Sequence, residues 1–239
     1  MGGTLTTVDL QDLDNAVVDC RRCPRLVAWR ESAPTQSRAR DEEYWARPVP
    51  GFGPADARIA VIGLAPALHG SNRTGRMFTG DRSGDFLFEA LYAVGLASQP
   101  HAISRDDGMR LTDVRMAAPV RCAPPENKPL PEERDNCRPW LAQELELLRP
   151  TLRVAVVLGA FGWQALLPVL EAACWTVPKP RPKFGHGVEV RLPSTDGGAP
   201  LTLMGCFHVS PHNTFTGRLT QEMVRHVFRR AVTVADDQE

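Results

Sequence analysis

The sequence predicts an α/β fold in which helices cover both faces of a central parallel sheet. Short apolar runs alternate with amphipathic helical segments along most of the chain, which is the pattern of strands joined by helical crossovers. With 239 residues the chain is long enough for one sizeable core. We therefore expect residues 1–239 to form a single domain.

The individual elements follow from local patterns. Apolar residues at helical spacing predict a first helix over 10–20, and prolines, glycines and charges predict a long loop over 31–54. Ser83 is the expected N-cap of the next helix, and a proline- and glycine-rich excursion covers 177–200. The predicted strands span 58–64, 114–120, 152–159 and 201–207, and the later helices span 83–95, 131–150, 160–172 and 217–232.

Charge and hydropathy limit the classes of partner. The formal net charge is zero, so no global basic field indicates a nucleic acid, and any DNA-binding surface has to be local. No apolar run reaches the roughly 18 residues that cross a bilayer, and the N-terminus lacks the pattern of a secretory signal. We expect a cytoplasmic monomer without a membrane partner.

Two loops follow predicted strands at the end of the sheet where α/β proteins bind ligands. They are "GLAPALHGSNRTGRMFTGD" at 63–81 and "HVSPHNTFTG" at 208–217, and we expect them to meet at one site. The spacing of Gly70 and Gly75 nearly matches a phosphate-binding Walker loop. Arg76 and Met77 stand where that motif needs Lys and then Ser or Thr, so an NTPase is the least supported interpretation.

Four of the six cysteines form a pattern. Cys20 and Cys23 make a C-x-x-C motif, and fourteen residues separate Cys122 from Cys137. In a cytosolic chain this pattern favours a metal or cluster site over disulfides, with a redox pair or scattered structural cysteines as alternatives. The spacing does not choose between an iron–sulfur cluster and zinc. The arginines at 21, 22, 121 and 138 adjoin the four cysteines and would stabilise thiolates, whereas the cysteines at 174 and 206 are expected in the core.

The chain resembles the family 5 (type B) uracil-DNA glycosylases of the uracil-DNA glycosylase superfamily. The motifs that carry the resemblance extend from Cys20 to Thr220 and cover most of the chain. They are "CRRCPRL", "YWARPVPGFGP", "GLAPALHGSNRTGRMFTGDRSG", "VRCAPPENKP" and "HVSPHNTFTGRLT", in that order. Val209 departs from the pattern, because the family usually has proline there.

The resemblance implies a fold, a cofactor and an activity. The fold is a three-layer α/β/α sandwich, and a [4Fe-4S] cluster is held by the four cysteines Cys20, Cys23, Cys122 and Cys137. The activity is excision of uracil and other deaminated or damaged bases from DNA, the first step of base excision repair. On this view the loop at 63–81 walls a pocket for a base flipped out of the duplex.

The resemblance also assigns roles at the site. His208 would donate to the departing base, and Asp81 would position the attacking water, because Leu64 stands where related glycosylases carry a polar residue. Asn127 would be a second polar participant. The alternatives are a helix N-cap for Asp81 and a turn residue for Asn127. The implied base-binding residues are Gly63, Leu64, Ala65, Phe78, Ala118, Asn127 and His208, although Phe78 could instead pack the loop.

A DNA-binding face is expected beside the pocket. Phosphates would pass Arg73, Arg76 and Arg218, and Asn213 or Phe215 would fill the gap left by the flipped nucleotide. A solvated surface is the alternative for such arginines. At the level of the whole protein the alternatives are a uracil-specific glycosylase like family 4 and a catalytically silent, cluster-bearing DNA-binding module.

Ala118 leads to an expectation about base selection. In family 4 an asparagine at this position reads the uracil edge, whereas a small apolar side chain cannot form paired hydrogen bonds with a base. We therefore expect a permissive enzyme that accepts hypoxanthine and ethenocytosine as well as uracil.

Overall fold

The computed structural model describes residues 9–33 and 43–237, so residues 34–42 of the predicted loop at 31–54 lie outside the described part. In the described part the fold is an α/β sandwich of three layers, as predicted. Its elements are α1 (Leu10–Val18), α2 (Pro24–Glu31), β1 (Ile59–Ile62), α3 (Ser71–Thr74), α4 (Arg82–Ala93), β2 (Val114–Ala117), α5 (Pro131–Leu148), β3 (Val154–Leu158), α6 (Ala160–Ala172), β4 (Glu189–Leu192), β5 (Leu201–Cys206), α7 (Pro211–Phe215) and α8 (Gln221–Asp236).

The central sheet has five strands in the order β2-β1-β3-β5-β4. The four predicted strands pair in parallel, and each is a fully buried run, as expected for strands that are covered on both faces. β4 was not predicted. It lies inside the excursion at 177–200 and pairs antiparallel with β5 at one edge of the sheet.

The two faces of the sheet bury separate apolar cores. Val61, Met116 and Val156 pack with α4 and α8 on one face. Ala60, Ala155 and their neighbours pack with α1, α5 and α6 on the other. Successive strand residues therefore point to opposite layers, which places the helices on both sides and leaves the carboxyl ends of the strands free for loops.

Two cysteines outside the cluster pattern were expected in the core. Cys206 ends β5 and is fully buried, as predicted. Cys174 is only half-buried, because it follows the end of α6 at the margin of the helical layer. No helix in the described part of the chain is long and apolar enough to span a bilayer.

Candidate active site

A pocket of about 350 Å³ opens at the carboxyl ends of β1, β2 and β5. The loop at 63–81 forms most of its wall, and the loop that follows β5 closes the opposite side, so the two loops meet as expected. Thirteen residues line the pocket: Leu64, Ala65, Ala67, Ser71, Met77, Phe78, Asp81, Ser83, Ala118, Asn127, His208, Ser210 and Pro211. All three residues expected to be catalytic are among them.

Asp81 reaches the pocket from the N-terminus of α4. Its Oδ1 accepts the Gly84 N–H at 3.0 Å, so Asp81 and not Ser83 is the N-cap of this helix. Burial raises the pKa of the Asp81 carboxyl, and hydrogen bonds from backbone N–H groups oppose that shift. The side chain therefore combines the capping role with a place in the pocket wall.

His208 enters the pocket from the loop after β5. A Cβ built on Gly159 would lie 3.2 Å from the His208 Cβ, and Gly159 has a φ of 97°, so glycine serves both the turn and the close approach. Burial lowers the pKa of His208 to about 4. The imidazole is therefore neutral at pH 7 and can donate one N–H without carrying charge.

The loop of His208 is anchored on two sides. Val209 is fully buried in the core, so an apolar contact holds the position where the family usually has proline. The Asn213 side-chain amide donates to the His208 carbonyl at 2.8 Å. These contacts fix the main chain on which the imidazole is mounted.

Asn127 reaches the pocket from the segment between the second pair of cysteines. It lies in a turn at Pro125–Asn127, and both Glu126 and Asn127 have positive φ values, 53° and 56°. Asn127 is exposed as a residue, yet it lines the pocket. Asn127 is therefore both a turn residue and a residue at the mouth of the pocket.

Gly63 and Phe78 form a stacked wall. A Cβ on Gly63 would lie 2.7 Å from the Phe78 Cζ, so the ring rests on the main chain just after β1. Phe78 is half-buried and has a φ of 52°. The ring thus serves loop packing and also presents a surface to the pocket, where a flat base could stack.

Leu64, Ala65 and Ala118 give the pocket an apolar side. Leu64 supplies no polar group where other glycosylases carry one, and Ala118 is buried just beyond β2. Ala65 is half-buried and also packs against the cluster of Leu26, Val120 and Cys122, which connects this wall to the cysteine region.

Three serines that were not expected at the site also line the pocket: Ser71, Ser83 and Ser210. Ser71 is 3% exposed, and its hydroxyl makes no hydrogen bond within the described part of the chain. A single serine in a loop carries no sequence signal, because only the fold shows that Ser71 faces the cavity. Its hydroxyl can donate or accept, which suits the edge of a base.

Two arginines expected to meet phosphate make hydrogen bonds or ion pairs within the protein. Arg76 is 5% exposed and makes a two-pronged ion pair with Asp107, with nitrogen–oxygen distances of 2.8 and 2.7 Å. Arg73 donates to the carbonyls of His69 and Gly80, both at 2.9 Å. Both side chains therefore brace the loop from within.

Arg218 and Phe215 lie where a DNA-binding residue could act. Arg218 is exposed, and its guanidinium lies 4.6 Å from the centre of the Phe207 ring, beside His208. Phe215 is 69% exposed, although it is a large apolar residue. Asn213 is half-buried, and its side-chain amide donates to the His208 carbonyl.

The four patterned cysteines line one small cavity beside the pocket. Arg30 donates to the Cys122 Sγ at 2.9 Å, and the Arg121 N–H donates to the Cys137 Sγ at 3.3 Å. Burial raises the pKa of the Cys122 thiol to about 11 and that of Cys137 to about 12. The chain by itself thus favours thiols, and thiolates would need further positive charge.

Buried arginines line this cavity. Arg30 and Arg121 are both almost fully buried, and three of their nitrogens, Arg30 Nε, Arg121 Nε and Arg121 Nη1, have no hydrogen-bond partner among the described residues. Sequence reasoning anticipated Arg121 but not Arg30. Arg21 and Arg138 instead pair with Glu31 and Asp135 at the surface, which corrects their assignment to the cysteines.

A buried chain of charges extends from this cavity to α1. Arg121 pairs with Glu144, Glu144 Oε1 accepts from the Arg115 Nε at 2.6 Å, and Arg115 Nη2 reaches both carboxylate oxygens of Asp14 at 2.8 Å. The two arginines lower the pKa of Glu144 against a large burial effect. Two positive and two negative groups therefore balance in the interior.

No group of three or more His, Cys, Asp or Glu side chains in residues 9–33 and 43–237 is arranged to hold a single metal ion.

Comparison with known proteins identifies the family. A model of the Uracil DNA glycosylase superfamily matches residues 50–231 of the chain. The chain belongs to this superfamily. The match includes the loop at 63–81, Asn127 and His208, so it covers the pocket as well as the sheet.

Individual relatives point to one branch of the superfamily. The chain is 49% identical to the Type-5 uracil-DNA glycosylase of Thermus thermophilus, over 95% of this chain and 99% of that protein. It is 49% identical to the Type-5 uracil-DNA glycosylase of Mycobacterium tuberculosis, over 92% of this chain and 80% of that protein. A Type-4 uracil-DNA glycosylase of Pyrobaculum aerophilum is 30% identical over 68% of this chain and 67% of that protein. These matches confirm the resemblance to family 5.

Proposed function

We propose that the protein hydrolyses the N-glycosidic bond of uracil in DNA and leaves an abasic site. The observation that carries this proposal is that Asp81, Asn127 and the neutral imidazole of His208 line one pocket together with Phe78. The names of the Type-5 relatives support the same activity.

The reaction needs two kinds of assistance. As the bond between C1′ and the base breaks, its electron pair stays with the base, so negative charge develops on the base carbonyl and positive charge on the sugar. A water oxygen then bonds to C1′, and the proton that it loses ends on the departing base anion. Groups that meet these charges only in the transition state raise the rate of the chemical step.

His208 is the donor to the departing base. A neutral imidazole carries one N–H, and its lowered pKa keeps it uncharged at physiological pH. Such a donor stabilises the oxyanion of the base by a hydrogen bond as the glycosidic bond breaks. The backbone anchors at Val209 and Asn213 hold that donor in place.

Asp81 serves the sugar side. Its Oδ1 is committed to the Gly84 N–H, and the carboxylate as a whole faces the pocket, where it can orient a water and balance positive charge on the sugar. Asn127 at the pocket mouth is a second polar contact. Leu64 leaves no competing polar group at the start of the loop.

We extend the proposal to a broad range of bases. Ala118 and Ala65 present no paired hydrogen-bonding groups, and the amphoteric hydroxyl of Ser71 can bond to a carbonyl or to a ring N–H. Uracil and hypoxanthine share such a carbonyl and N–H pair. Weak reading of the base edge predicts acceptance of hypoxanthine and ethenocytosine, with mismatched lesions favoured because they flip at lower cost.

We also propose that Cys20, Cys23, Cys122 and Cys137 hold a [4Fe-4S] cluster. A cluster with four thiolate ligands is anionic, and the buried unpaired nitrogens of Arg30 and Arg121 would meet that charge. When bound, the cluster supplies cross-links between α2, the segment after β2 and α5, and no catalytic step depends on it.

DNA would approach the pocket across Arg218 and Phe215. Arg218 has no acidic partner among the described residues, so its charge is available to a phosphate. Phe215 is the candidate wedge for the gap left by a flipped nucleotide. Excision followed by repair of the abasic site would place the protein at the start of base excision repair, inside the cell and active as a monomer.

The test is single-turnover excision from a uracil-containing duplex, followed by alkaline cleavage of abasic sites. Loss of a group that meets developing charge in the transition state costs about 10²- to 10³-fold in rate, so His208→Ala and Asp81→Asn should lose excision to that extent while still binding an abasic duplex. Because Asn is as good an N-cap as Asp, the second variant separates chemistry from capping.

Two controls match these changes in chemistry. His101→Ala and Asp106→Asn alter exposed residues outside the pocket and should leave the rate unchanged. A wild-type protein that releases no base from any uracil duplex, while still binding DNA, would instead be a silent DNA-binding module.

A further inference from the structure

Asn127 is held in a backbone conformation that needs support. Glu126 and Asn127 both lie in the left-handed region, with φ values of 53° and 56°. A left-handed backbone is unfavourable for a residue that carries a side chain unless its surroundings fix it. The turn's own hydrogen bonds, Asn127 N to Pro124 O at 3.2 Å and Lys128 N to Pro125 O at 3.0 Å, are modest.

The additional support comes from an ion pair. Arg25 in α2 makes a bidentate pair with Glu133 in the first turn of α5, with distances of 2.8 Å from Nε and 2.9 Å from Nη2. Arg25 Nη2 also donates to the Lys128 carbonyl at 3.3 Å, and Glu133 Oε2 accepts the Leu130 N–H at 2.7 Å. One pair of side chains thus contacts the main chain at both residues that flank Pro129.

We propose that Arg25 and Glu133 are positioning residues that hold Asn127 at the mouth of the base pocket. We call the two side chains the turn clamp. The inference rests on the proposed role of Asn127 in base excision and deepens it. Neither side chain lines the pocket, so each acts through the turn at 125–127.

The chemistry of the pair suits this task. Glu133 is only 6% exposed in its side chain, so its charge has to be matched, and the planar guanidinium of Arg25 matches both carboxylate oxygens at once. The same guanidinium still has a donor for the Lys128 carbonyl. Lysine at position 25 would keep the charge but lose this three-point geometry.

The turn clamp also joins the pocket to the cysteine cavity. Arg25 is two residues after Cys23, and Glu133 is four residues before Cys137 and lines the cavity itself. The clamp therefore connects the cysteine cavity to the main chain that directly follows Asn127. Each clamp variant has to be checked for its iron content, because Glu133 also lines the cysteine cavity.

The test is a double-mutant cycle on single-turnover excision of uracil. A misplacement of a catalytic group by a fraction of an ångström to 1 Å costs about 10- to 10²-fold, so Arg25→Lys should slow the wild-type enzyme by that factor. In the Asn127→Ala background the same change should alter the rate by less than about twofold, because two changes that act through one group are not additive.

A matched control and a second readout accompany the cycle. Arg21→Lys alters another bidentate pair, with Glu31, that contacts neither the turn nor the pocket, and it should leave the rate unchanged. Glu133→Gln should accelerate hydrogen exchange of the Leu130 amide and show the same non-additivity, which keeps the test open if Arg25→Lys does not fold. Iron per chain should stay at the wild-type value in each variant.

Several outcomes would overturn the clamp. An unchanged rate in Arg25→Lys, an equal loss in the Asn127→Ala background, or full activity of Asn127→Ala alone each rejects it, while uracil excision by the wild type still stands. Absence of excision by the wild type is a separate result, which rejects the proposed function.

Discussion

The Asp81 carboxylate packs directly on the α-carbon of Gly70. A Cβ built on Gly70 would lie 2.0 Å from Asp81 Oδ2 and 3.0 Å from its Cβ. Since Oδ1 is held by the Gly84 N–H, the carboxylate is fixed between a helix N-terminus and a glycine. Asp81 is thus positioned by the loop at 63–81 on one side and by the first turn of α4 on the other.

Gly70→Ala should therefore displace the carboxylate. We expect a loss of about 10²-fold in single-turnover excision, because the added methyl group occupies the place of Oδ2. Gly198→Ala is the matched control. A Cβ built on Gly198 would meet only side-chain atoms, the nearest at 3.2 Å, and Gly198 lies outside the pocket. Full activity of Gly70→Ala would mean that Asp81 does not need this position.

The lowered pKa of His208 predicts a pH-dependent stability. The imidazole is neutral in the folded protein down to about pH 4, whereas its ordinary pKa is 6.5, so the unfolded chain binds the proton first. The contribution of His208 to the free energy of unfolding is therefore greatest above pH 6.5, and it is lost as the pH falls from 6.5 to about 4. Denaturant titrations from pH 7 to 4 should show a smaller loss in His208→Asn. An identical pH dependence in both proteins would show that His208 titrates normally.

Arg218 should set the salt dependence of DNA binding. Arg218→Gln is expected to flatten the slope of log affinity against log salt by about one unit, if the guanidinium meets one phosphate. Arg110→Gln removes the same charge from an exposed residue before β2, at the opposite end of the sheet, and should leave the slope unchanged. Equal slopes for Arg218→Gln and the wild type would place the DNA elsewhere.

Ser71 should contribute to reading more than one base. Loss of a buried hydroxyl partner costs about 1 to 3 kcal/mol, so Ser71→Ala should slow excision of both uracil and hypoxanthine by about 5- to 150-fold. Ser83→Ala, at the first turn of α4 in the same pocket, should have a smaller effect because Ser83 is less buried. A loss confined to one base would show that the hydroxyl has one fixed hydrogen-bond role.

The cysteines should carry iron and sulfide. Protein purified without oxygen should be brown, and Cys137→Ser should remove the visible absorption, since one of four ligands is lost. Cys174→Ser changes a half-buried cysteine outside the cavity and should keep the full iron content. Zinc without iron in an anaerobic preparation would contradict the cluster.

The sequence predicts most of the sheet but not its edge. β1, β2, β3 and β5 are continuous apolar runs, and such runs indicate buried parallel strands. β4 reads "EVRL", with Glu189 and Arg191 exposed, because an edge strand is covered on fewer sides. The charged residues of β4 and the prolines before it do not match the pattern of a buried strand, so the sequence did not predict β4.

The partners of single polar residues could not be predicted. Arg76 and Asp107 are 31 residues apart, and Asn213 bonds a main-chain carbonyl, so neither contact leaves a periodic pattern. Arg30 is one of many arginines, and only the packing of α2 shows that it is buried. The motif residues Asp81, Asn127 and His208 were found because three separate motifs each carry one of them.

The buried chain from Arg121 through Glu144 and Arg115 to Asp14 links positions scattered over 131 residues of sequence. Removal of one partner leaves an uncompensated charge in the interior, at a cost of about 3 to 5 kcal/mol, whereas exchange of the whole set for apolar residues can be nearly neutral. Evolution can therefore change these four positions together far more easily than one at a time. We expect their identities to covary among natural relatives, so that a lineage keeps the complete set or replaces it.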